Sequence, residues 1–146
     1  MKSALVLLGC AATQLALALA SPSPWWVPDL TLVGLVLAVG RSPERWVAYS
    51  ASAGLLMVAW AVRFPVQVFV GYFLIGWLSH VLSRHWDATD LRIECLLVAA
   101  GSLSLMVGML WLEDLWSLRV LCLTAVRTAV TCGAVPVIHR MALTNG

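Results

Sequence analysis

Few residues in this chain have the type and spacing to do chemistry. Asp87 and Asp90 stand three apart in the most polar stretch, Ser83 to Arg92. That is the spacing of a paired-carboxylate metal site, but the glycine and second aspartate pair that such a site needs do not follow. No His-Glu-x-x-His is present to hold a zinc ion. Gly101-Ser102 lacks the flanking glycine and partner histidine that would activate a serine nucleophile. Aspartyl catalysis needs two carboxylates sharing a site, and here the acidic residues fall at the ends of apolar runs. His80, His85 and His139 also lie near run ends, where an interfacial role is expected. Cys10, Cys95, Cys122 and Cys132 follow no zinc or redox spacing and are read as small hydrophobes. Neither catalysis, a metal nor a cofactor is expected.

Arg127 differs from these because it stands about ten residues inside an apolar run. An arginine at mid-membrane costs about 2.5–3.5 kcal/mol on insertion scales. Two outcomes are open: its long side chain snorkels to the outer headgroups, or it faces the bundle interior or a partner's carboxylate. Arg63 and Arg119 are expected at the outer interface, with Asp29, Glu113 or Asp114 available to pair with any of the three arginines.

The elements that position these residues are expected to be transmembrane helices. Of 146 residues, 62% are hydrophobic and 11% charged, and mean hydropathy is +0.93. Soluble domains carry about 25% charged residues, so this chain could not cover a water-facing surface. A spanning helix needs about 20 apolar residues. Six segments qualify or nearly do: 3–20, 29–40, 46–62, 66–82, 93–112 and 117–138. Together they predict an all-α membrane protein, a single domain built as a six-helix bundle. The first could pass for a secretory signal, with Ala18-Leu19-Ala20 as its cleavage site, but is expected to remain as a helix. The second is short, introduced by Pro28-Asp29, a sequence suited to a helix start. Pro136 and then His139-Arg140 are expected to close the last.

Orientation follows from basic residues, which favour the cytoplasmic side. With both termini cytoplasmic, that side collects Lys2, Arg41, Arg45, Arg84, Arg92 and Arg140, leaving Arg63 and Arg119 outside. An even number of spans agrees with this bias. Most of the eight tryptophans mark segment ends, as aromatic belts do. Loops are too short for an extramembrane domain, and a net charge of +2 without a basic patch argues against nucleic acid. Ser50-x-x-x-Gly54, Ser104-x-x-x-Gly108 and Ala129-x-x-x-Gly133 would allow close backbone approach, and Thr124, Thr128 and Thr131 would hydrogen-bond across an interface.

The order of several short motifs resembles MreD, the bacterial rod shape-determining membrane protein family. They are Pro28-Asp29-Leu30, the basic turn Arg41 to Arg45, Gly54-Leu55-Leu56, Phe64-Pro65, Gly71-Tyr72, the basic exit at Arg84, and a last span from Arg119 through Pro136 to Arg140. The likeness covers nearly the whole chain. It departs at Met57 to Trp60, where the family often carries an aspartate.

The resemblance implies a noncatalytic subunit of the cell-elongation machinery in the bacterial inner membrane. Its partner would be MreC, and through MreC the cytoskeletal MreB, the RodA glycan polymerase and a penicillin-binding transpeptidase. It also implies a fold similar to the substrate-binding subunits of energy-coupling-factor vitamin transporters, which supplies an alternative: a small-molecule capture subunit. The scaffold reading expects no sizeable hydrated cavity, with Arg127 and the small-residue stripes contacting MreC or a second copy. The capture reading expects a pocket open to the outside, lined by polar groups from several spans. Candidate partner-binding or helix-packing residues are Asp29, Gly54, Arg63, Gly71, Tyr72, Gly108, Arg119, Arg127 and Gly133.

Overall fold

The computed structural model describes residues 2–22, 27–59, 64–87, 90–114 and 116–144. Within them every regular element is helical: α1 (Lys2–Ala20), α2 (Leu30–Arg41), a 3-10 turn at Pro43–Arg45, α3 (Trp46–Val58), α4 (Pro65–Leu82), α5 (Leu91–Glu113) and α6 (Leu118–Thr144). The starts follow local chemistry. Asp29 and Asp90 cap α2 and α5, their carboxylates accepting the N–H groups of Leu32 at 3.0 Å and Arg92 at 2.9 Å. Pro65 opens α4, where its missing N–H costs nothing.

Among the described residues, four helices are long and apolar enough to cross a bilayer: Ser3–Ala20 of α1, α4, α5 and Leu118–Leu143 of α6. At 12 and 13 residues, α2 and α3 reach only about 18–20 Å, short of the ~30 Å hydrocarbon thickness. Residues 60–63, which the third expected span includes, lie outside the described residues, and Arg63 with them. The last helix overruns its expected end. Pro136 lies inside α6, and His139-Arg140 continue it to Thr144. Proline is tolerated within apolar, packed helices because neighbouring groups satisfy the freed backbone.

Helix α2 is the centre of the bundle. Leu30 to Val39 are all buried, and the helix touches each of the other five. A helix that is apolar on every side belongs in a core. Close approach depends on small residues. A Cβ at Gly34 would lie 3.2 Å from the backbone of Leu7, so α1 and α2 meet there; one at Gly76 would collide with Ser50 Oγ, where α3 meets α4.

Polarity runs opposite to that of a soluble domain. Leu5, Leu19, Val66, Trp111, Leu118 and Val137 are exposed on the long helices, while Gln14, Asp29, Ser50, Glu94, Ser102 and Thr131 are buried. Such an apolar exterior requires an apolar surrounding, and its buried polar groups must find partners inside.

Candidate functional site

Helix α2 begins well inside the bundle, where water cannot serve the free N–H groups of its first turn. Four groups replace it. Leu30 N–H donates to Pro28 O at 3.0 Å and Val33 N–H to Asp29 O at 3.3 Å. Leu32 N–H goes to Asp29 Oδ1, and Thr31 N–H goes to Gln14 Oε1 on α1 at 2.7 Å. Gln14 Oε1 also accepts the Thr31 hydroxyl at 2.8 Å. The amide of Asp29 itself donates to Thr131 Oγ1 on α6 at 3.0 Å, and the Thr131 hydroxyl passes the chain on to Arg127 O at 2.8 Å.

The second carboxylate oxygen of Asp29 accepts the hydroxyl of Tyr72 on α4 at 2.5 Å. Asp29 is 7% exposed and Tyr72 2%, so this is a dry contact in which an ionised acceptor would shorten and strengthen the bond. Asp29 therefore serves as a three-way joint between α2, α4 and α6. It pairs with a tyrosine, where an arginine had been the expected candidate.

Arg127, half-buried on α6, faces the interior. Its guanidinium makes one hydrogen bond among the described residues, from Nη1 to the weak acceptor Met106 Sδ at 3.5 Å, and its buried Nε has no acceptor. Two cavities meet at this side chain. One of about 700 Å³ runs between α4, α5 and α6, with Asp29, Tyr72, Ser104, Met106 and Gly108 on its walls. The other, about 410 Å³, lies between α1, α3 and the start of α2, beside Gln14 and Thr31. Met57 and Arg127 border both. The walls are mainly apolar, from residues such as Val66, Val70, Leu105 and Leu112.

Thus Asp29, Tyr72 and Arg127 gather at one place. Gly54 and Gly71 pack within the chain: a Cβ at Gly54 would stand 2.8 Å from the Phe69 ring, and one at Gly71 would strike Leu105. Gly108 and Gly133 meet no neighbour within 4 Å. Gly108 borders the larger cavity, whereas Gly133 and Arg119 are exposed on α6. Thr128 lies 3.3 Å from Ser102 across the α5–α6 interface, while Thr124 bonds to its own helix at Val120 O. The four cysteines are free thiols, with Cys122 on the exposed face.

A second polar contact lies at the other end of the bundle. Glu94 on α5, with its side chain 1% exposed, meets His139 Nδ1 on α6 at 2.6 Å, leaving Oε1 without a partner. Arg41, at the end of α2, acts on the same carboxylate through its field. His139, expected near the interface, ties α6 to α5 here. Gln14 is the other residue that sequence reasoning passed over. Its signal was available, as an amide within the apolar run from Ala4 to Ala20.

Comparison with protein-family models, curated proteins and solved structures gives no match for this chain. Fold and site together define an all-helical protein with four helices long enough to span a bilayer and a polar joint buried among them.

Proposed function

We propose that this chain is a noncatalytic subunit of the bacterial cell-elongation complex, similar to MreD. It crosses the inner membrane six times, the short α2 and α3 completing the four long spans, with both termini in the cytoplasm. It supports lateral wall synthesis by holding MreC. The observation that carries the reading is the Asp29–Tyr72 hydrogen bond. Pro28-Asp29-Leu30 and Gly71-Tyr72 are two of the short motifs behind the resemblance, 43 positions apart, and here they meet at 2.5 Å. A joint of this kind gives a physical reason for both motifs to occur in one chain. Even-numbered crossing is further supported by Arg41, Glu94 and His139, which bring the ends of α2 and α6 to the start of α5.

The exposed stripe of α6 around Gly133, where no neighbour fills the space beside the backbone, suits close approach of a partner helix. Affinity capture of the tagged protein from detergent-solubilised bacterial membranes tests the reading. Recovery of MreC supports it. Recovery of an ATPase module together with a vitamin overturns it in favour of the capture subunit. That second reading has one observation on its side, the 700 Å³ cavity, which the scaffold reading did not anticipate.

A further inference from the structure

The 700 Å³ cavity and Arg127 carry a ligand assignment that is independent of the cell-elongation reading. We infer that the space between α4, α5 and α6 binds an anionic membrane lipid, whose phosphate takes the guanidinium of Arg127 and whose acyl chain lies along the apolar walls.

The first reason is the unmet hydrogen-bonding capacity of Arg127. A guanidinium offers five N–H donors in a planar fork that matches a phosphate or carboxylate. Here the one bond among the described residues goes to a thioether sulfur, and Nε is buried with no acceptor. Keeping a cation in an apolar region is expensive unless something compensates it. Asp29, on the same cavity wall, has its oxygens engaged by Leu32 N–H and the Tyr72 hydroxyl and makes no hydrogen bond to Arg127 among the described residues. Glu113, the other carboxylate bordering the cavity, lies seven residues beyond Met106 on α5, about 10 Å along the axis.

Shape gives the second reason. A helix about 10 Å across fills roughly 400 Å³ per turn, so a whole span needs some 2,000 Å³. A cavity of about 700 Å³ cannot seat one. It does fall in the range of roughly 300–1,000 Å³ typical of pockets for small amphipathic ligands, which are mostly apolar with a few polar groups. Position gives the third. Arg127 is nine residues past the start of α6, about 14 Å along the helix. At that depth the surroundings are apolar, where a guanidinium–phosphate pair is stronger than in water.

The test titrates the purified full-length protein in neutral detergent, following thermal unfolding. The probes are phosphatidylglycerol, diacylglycerol with the same acyl chains, and inorganic phosphate. Phosphatidylglycerol is expected to stabilise the protein with an affinity about tenfold above that of diacylglycerol, the least that a charge-assisted hydrogen bond provides. Phosphate alone should have no effect. Arg127→Gln should abolish the preference, and Arg119→Gln should leave it intact. Gly108→Leu keeps the guanidinium but fills the cavity from a position with free space beside it, so it should weaken both lipids about tenfold. This variant decides the matter even if Arg127→Gln fails to fold. Equal affinity for the two lipids, a full effect from phosphate alone, or undiminished binding in Gly108→Leu would each overturn the assignment. A photoreactive side chain at position 108 in intact membranes should label lipid. A protein adduct as the main product would assign the space to a partner's side chains instead.

Discussion

The joint between Asp29 and Tyr72 permits a quantitative prediction. Replacing Asp29 with Ala removes the cap of α2, worth about 1 kcal/mol. It also strands the buried Tyr72 hydroxyl, at a cost of about 1–3 kcal/mol. The expected loss is about 2–4 kcal/mol. Tyr72→Phe leaves the cap in place but removes the donor to Asp29 Oδ2 at 2.5 Å, costing about 1.5–3 kcal/mol for a bond to a charged group. In the double variant the stranding penalty disappears, so the losses should not add. Hydrogen bonds between membrane helices average about 0.6 kcal/mol of coupling, with a maximum near 1.7. A charge-assisted bond is roughly twice as strong as a neutral one, which places the expected coupling at about 1–2 kcal/mol. The assay is reversible unfolding of the four proteins in bicelles, read by steric trapping or by denaturing detergent. Additivity within about 0.5 kcal/mol is what independent sites show. That result would refute the joint as the element fixing the start of α2.

Other outcomes follow from the same geometry. Gly76→Leu should destabilise by about 1–3 kcal/mol through overpacking against Ser50, whereas Gly133→Leu should stay within about 0.5 kcal/mol, its Cβ meeting nothing. If α6 holds the partner helix, Gly133→Leu will still reduce recovery of the partner by affinity capture. Gln14→Leu should cost about 1–3 kcal/mol, because the Thr31 amide and hydroxyl both lose their acceptor; unfolding in bicelles measures it. His139→Ala should cost about 1–3 kcal/mol, because the buried Glu94 carboxyl loses its hydrogen-bond partner, and much of that loss should be recovered in Glu94→Leu with His139→Ala, as the same unfolding measurement will report.

What the sequence made legible was set by hydropathy and by helix-start chemistry. The long apolar runs marked α1, α4, α5 and α6, because few arrangements other than a helix bury so much backbone in lipid. Pro28-Asp29 gave the start of α2 to within a residue. Apolar runs do not encode which face looks inward, so the neighbours of Gly54, Gly71, Gly108 and Gly133 had to come from the structure. Nor could Asp29 be matched to its partner. Charge suggested an arginine, but a helix start buried this deeply needs acceptors and donors of fixed geometry, and a tyrosine hydroxyl supplies one without a second charge. Pro136 misled for a related reason, since a rule learned in water loses force where neighbouring groups replace solvent.

The shortness of α2 explains the polar groups around it. A helix of 12 residues cannot bring both ends to the headgroups, so its free N–H groups must be met inside the bundle. Gln14 on α1, Asp29 in the link before α2 and Thr131 on α6 do this, and each is buried among apolar side chains. Because these partners come from α1, α6 and the link before α2, the start of α2 can settle only when those elements are in place. The positive end of the helix dipole is then already balanced by the Asp29 carboxylate. Arg127 adds a further positive charge beside that arrangement, with a thioether as its acceptor and its buried Nε unmet. Capping therefore accounts for Asp29, Gln14 and Thr131 but not for Arg127, and a bound anion is what would give that residue a reason to stand where it does.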